Sequence, residues 1–101
     1  MKLLIVTVVE EYHDKVIKLF KQAEIENYSE SDIDGYKNAS STMISTSWFP
    51  SDKSGTESNL FFSFTQEEKI DHLFELIAEF NQNLETNNPI KAVVVPIERS
   101  I

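Results

Sequence analysis

Residues 65–96 read TQEEKIDHLFELIAEFNQNLETNNPIKAVVVP, a helix and then a strand, and together they decide the fold. Thr65-Gln66-Glu67-Glu68 has the form of a capping box, in which the threonine oxygen accepts a free amide and the glutamate reaches back to the cap. Ile70, Leu73, Phe74, Ile77, Phe80 and Leu84 follow at three- and four-residue spacing, one apolar stripe along a helix. Asn87-Asn88-Pro89 stops that helix, because proline lacks the amide a further turn would need. Ile90 to Pro96 is then almost wholly apolar, as a strand covered on both faces would be.

The first third of the chain repeats this plan. Lys2 to Val9 reads as a strand, with Leu4, Val6 and Val8 on one face and Leu3, Ile5 and Thr7 on the other. Tyr12, Val16, Leu19, Phe20 and Ala23 mark a helix over about Glu10 to Ala23, with Lys15, Lys18 and Lys21 on its outer side. Asn27 to Asp34 alternates as a more polar strand, and Gly35 ends it at a bend. A connection over about 37–58, rich in Ser and Thr, leads to a third strand at Asn59 to Thr65, with Leu60, Phe62 and Phe64 on one face.

The order strand, helix, strand, loop, strand, helix, strand predicts an α+β, ferredoxin-like sandwich. Right-handed crossovers place both helices on one face of a four-stranded antiparallel sheet. One domain over residues 1–101 is expected, since the length suits a single core. Two helices cover one sheet face only, yet strands one, three and four are apolar on both. A free face of Leu, Val, Ile and Phe predicts self-association.

Composition narrows the function. A net charge of −8 and a single arginine, Arg99, argue against a nucleic-acid binder, which needs cations to displace counterions from phosphates. Cysteine is absent, so disulfides and thiolate catalysis are excluded, and a zinc site would have to use histidine and carboxylate. The N-terminal apolar run is short, meets Glu10-Glu11 and shows no small-residue cleavage site. No stretch is long enough to insert in a membrane, and the cytoplasm is the expected compartment.

Several residues are candidates for chemistry. His13 lies beside Glu10, Glu11 and Asp14, and His72 near Glu68, Asp71 and Glu75, so either imidazole could join carboxylates around zinc, copper or nickel. Neither helix carries the i, i+4 histidine pair that would make such a site specific. Trp48-Phe49-Pro50 places two large aromatics in a polar loop, where they would serve as an anchor for a partner protein or fold back on the domain. Glu24, Glu26, Glu30, Asp32 and Asp34 form an acidic run that reads first as a solvated edge strand and otherwise as a lure for calcium or a basic partner. No Ser-His-Asp grouping or nucleophile elbow is legible, so no catalytic residue is assigned and an enzyme is not expected.

The pattern resembles the PII signalling family and its PII-like relatives, trimers of a ferredoxin-like fold. The resemblance covers nearly the whole chain in spacing rather than identity. It rests on the opening Met-Lys strand, the polar strand closing on Gly35-Tyr36, the long loop, and the final strand ending at Pro96. It implies a homotrimer whose loop, through Trp48, Phe49 and Pro50, engages another protein such as a membrane transporter. It also implies a small-ligand cleft involving Gly35, Tyr36, Lys37 and Lys91, and no cofactor. The family's nucleotide motifs are mostly missing. Lys37, Asn38 and Ala39 stand where a glycine, an arginine and a glutamine are expected, and Asn88-Pro89-Ile90-Lys91 replaces a Gly-Asp-Gly-Lys phosphate turn. Two other readings stay open: a dimeric, cofactor-free oxygenase or isomerase recruiting Trp48, Asn59 and His72, and a metal-binding module linked to metal efflux.

Overall fold

A computed structural model of the chain describes residues 1–36, 56–84 and 87–101. Strand β1 (Lys2–Val9) runs into a 3₁₀ turn (Glu10–Tyr12) and helix α1 (His13–Gln22). Strands β2 (Ser29–Gly35) and β3 (Thr56–Thr65), helix α2 (Glu67–Gln82) and strand β4 (Lys91–Pro96) follow. The sheet order is β2-β3-β1-β4, and every neighbouring pair is antiparallel. This is the βαββαβ, ferredoxin-like arrangement, with β3 inserted between β1 and β2 and β1 between β3 and β4.

The core lies between the helices and one face of the sheet. Leu4, Val6 and Val8 of β1 and Phe61 of β3 meet Val16, Leu19 and Phe20 of α1 and Ile70, Leu73 and Ile77 of α2. All of these side chains are buried, and a large one contributes roughly 1.5–3 kcal/mol through its removal from water. Most of each predicted stripe is therefore the packed face of its helix, but α2 ends at Gln82 rather than at Asn87-Asn88-Pro89, so Leu84, expected on its stripe, lies beyond the helix. Phe61 is the hub of an aromatic cluster, with edge-on contacts to Phe20 at 5.4 Å and Tyr28 at 5.9 Å.

The structure departs from the sequence reading at several points, among them the following. The capping box does not form: Gln66 is the N-cap of α2, with no side-chain cap bond. Thr65 is buried as the last residue of β3, paired opposite Lys2. Residues 56–58, expected in the loop, extend β3 because Ile33, Asp34 and Gly35 pair with Ser58, Glu57 and Thr56. Strand β4 is an edge strand that is not covered on both faces; Val94 to Pro96 are exposed. Ile90, just before it, is fixed instead by Asn81, whose amide donates to the Ile90 carbonyl and accepts from the Ile90 amide, both at 2.9 Å.

The open face carries Leu3, Ile5, Leu60, Phe62, Phe64, Val93 and Val95, which the register aligns across β3, β1 and β4. Phe64 is 55% exposed, Val95 39% and Phe62 38%. Among the described residues no helix is long and apolar enough to cross a membrane.

Candidate functional site

The predicted ligand residues fall at one end of the sheet. Gly35 pairs with Thr56 at the end of β2, and Lys91 pairs with Thr7 at the start of β4. These are the two edge strands, three strand spacings apart, or about 14 Å. One protomer therefore does not bring Gly35 and Lys91 onto a single small ligand. Gly35 is buried, Tyr36 is exposed and Lys91 is half-buried. Lys37, Trp48, Phe49 and Pro50 lie outside the described residues.

The turn before β4 is also closed to phosphate. Pro89 has no amide to give, and the Ile90 amide is already spent on the Asn81 side chain. A phosphate cradle needs both backbone amides free to converge on the anion, so the replacement of the glycine-rich turn is a structural change as well as a change of letters.

A cleft of about 570 Å³ opens on the other side of the β2 edge, between the 3₁₀ turn, the start of α1 and β2. Glu10 and Glu11 come from the turn, His13 and Asp14 from α1, Glu30, Ser31 and Asp32 from β2, and Asn59 from β3. The turn places its glutamates here because β1 ends at Val9, opposite Ser58. Strand pleating then sets Asp32 directly across from Asn59 and Glu30 across from Phe61.

His13 is the centre of this arrangement. Its Nε2 lies 2.6 Å from a Glu30 oxygen and its Nδ1 3.0 Å from an Asp14 oxygen, while its ring packs at 5.5 Å on Phe61. Only the imidazolium can donate from both nitrogens. Hydrogen bonds to Asp14 and then Glu30 accordingly hold the His13 pKa above its ordinary value, against a smaller opposing effect of burial. At the rim, a hydrogen bond with Glu10 raises the exposed Glu57 carboxyl, with the charges of Glu10 and Asp32 adding to it.

Asn59 forms the floor. It is 5% exposed and donates from Nδ2 to Asp32 Oδ1 at 2.9 Å. Its own Oδ1 is buried without a hydrogen-bond partner among the described residues. An orphaned buried acceptor costs about 1–3 kcal/mol.

The two histidines are not brought together. His13 is committed to the cleft, whereas His72 is exposed on α2. Among the described residues no three His, Asp or Glu side chains are grouped to hold a metal ion. The sequence reading noted the acids beside His13 and the acidic run of β2 as separate features. Their meeting, and the part of Asn59 and Glu57, depend on the pairing of β2 with β3, which no local pattern encodes.

No protein family and no curated protein sequence matches the chain. Among solved structures it is similar in fold to a nitrogen regulatory PII-like protein from Thiomonas intermedia, solved with ADP, AMP and bicarbonate bound. The likeness has a TM-score of 0.63 and covers 99% of this chain and 94% of that one, at 13% sequence identity. The shared feature is the fold: a four-stranded antiparallel sheet with two helices, in the same order along the whole chain.

Proposed function

We propose that residues 1–101 form one PII-like regulatory domain that assembles as a homotrimer and acts on a partner protein, a membrane transporter being the kind expected. Contact with the partner is through the segment between β2 and β3, with Trp48, Phe49 and Pro50 as its anchor. A small ligand between subunits, near Gly35, Tyr36, Lys37 and Lys91, biases that segment between conformations of different partner affinity. The protein works in the cytoplasm, without a cofactor and without catalysis.

The observation that carries this reading is the fold likeness over 99% of the chain to a PII-like regulatory protein. Two features of the chain support it. The open sheet face exposes Phe62, Phe64 and Val95, which a neighbouring copy would cover. Gly35 and Lys91 sit on opposite edges at the same end of the sheet, so a second subunit can supply what one protomer separates. The ligand is not taken to be a nucleotide, because Pro89 and the committed Ile90 amide leave no phosphate cradle before β4.

Native mass spectrometry of the purified chain tests the reading. A trimer is expected, and mass beyond three chains would begin to identify the ligand. A dimer or a monomer at micromolar concentration would overturn it and return the search to a pocket within one or two copies.

A further inference from the structure

We infer that the cleft between the 3₁₀ turn, α1 and β2 is a binding site for a small organic cation bearing amine or guanidine N–H donors. Its surface offers acceptors almost alone: Glu10, Glu11, Asp14, Glu30 and Asp32 line it, and among the described residues no lysine or arginine does. The donors present are already used. Both His13 nitrogens face Asp14 and Glu30, and the Asn59 amide nitrogen is given to Asp32.

The acidic lining alone would be a solvated edge. The floor makes the difference, because Asn59 Oδ1 is a buried acceptor with no donor to meet it among the described residues. A ligand with several N–H groups supplies that donor and neutralises the surrounding carboxylates, and charge-assisted hydrogen bonds of this kind are the strong ones. A bare metal ion is the poorer fit. Hard divalent cations need several oxygens closing to about 2.0–2.6 Å, and no three acidic or histidine side chains among the described residues group in that way. A space of about 570 Å³ suits a molecule of several heavy atoms.

Titration calorimetry with spermidine on the full chain, at about 0.15 M salt so that long-range attraction is screened, tests the inference. Two double variants remove equal charge. Glu10→Gln with Glu11→Gln alters the cleft, whereas Glu67→Gln with Glu68→Gln lies at the opposite end of the sheet, after Thr65 pairs with Lys2. One spermidine per chain is expected, weakened about tenfold or more by the cleft pair and unchanged by the control pair. The Asn59 side-chain amide resonances should shift on binding. Absence of heat, an equal effect of both pairs, or no effect of either would overturn the site. Calcium chloride saturating the same resonances in place of spermidine would overturn the ligand class.

Discussion

His13 couples the start of α1 to the edge strand β2 through a single protonation. The hydrogen bonds to Asp14 and Glu30 raise its folded-state pKa above the ordinary value near 6.5. The stabilisation is therefore complete below about pH 6.5 and is lost as pH rises through the folded pKa. Comparison of urea unfolding midpoints for the protein and its His13→Gln variant should show the largest gap below the ordinary histidine pKa, closing as the pH rises through the raised folded-state value. A gap independent of pH would mean that the ring acts through its packing on Phe61 alone. Glu57 has the same sign in a lower window: its raised pKa favours the fold where its own carboxyl is protonated, and that contribution is lost as pH rises through the raised value.

Helix α1 ends without any of the residues that usually end helices. Ala23, Glu24 and Ile25 contain no glycine, yet the Ile25 amide bonds the Phe20 carbonyl at 2.9 Å and the Glu24 amide bonds that of Lys21 at 3.1 Å. This is a Schellman closure, with Glu24 in the left-handed region at φ 60°. A residue with a Cβ is strained there by roughly 1 kcal/mol. Glu24→Gly should therefore stabilise the domain by about 0.5–1 kcal/mol and raise the melting temperature by several degrees in a calorimetric scan. A lower melting temperature would show that the Glu24 side chain contributes more than the backbone strain costs. The start of α2 is the converse case. Thr65-Gln66-Glu67-Glu68 spells a cap that the β3 ladder overrides by taking Thr65 for itself.

Among the described residues, the sheet has one packed face and one bare one. Phe62 and Phe64 form an edge-on pair at 6.3 Å on the bare face, and both are exposed. Phe62→Asp with Phe64→Asp should leave the circular dichroism of the fold intact while sharply weakening assembly, since an interface aromatic of this kind is worth about 2 kcal/mol or more. Sedimentation at matched concentration reads the outcome. A double variant that keeps the parent's mass would mean that copies, if they associate, do so elsewhere.

The number, kind and order of the elements were legible in the chain, because apolar periodicity is a local property. The stripes at Val16, Leu19 and Phe20 and at Ile70, Leu73 and Ile77 repeat at the helical period, and both became buried faces. The sequence also showed that the sheet would have an apolar face with no helix to cover it. Tertiary structure alone decided the cleft. His13 meets Glu30 across 17 positions and Asn59 meets Asp32 across 27. Those meetings follow from strand register, which is fixed by the burial of Phe61 on the helix side and by the pleat it imposes on its neighbours. A histidine, an asparagine and a few acids have no period to announce them. Their chemistry exists only once β2 lies against β3.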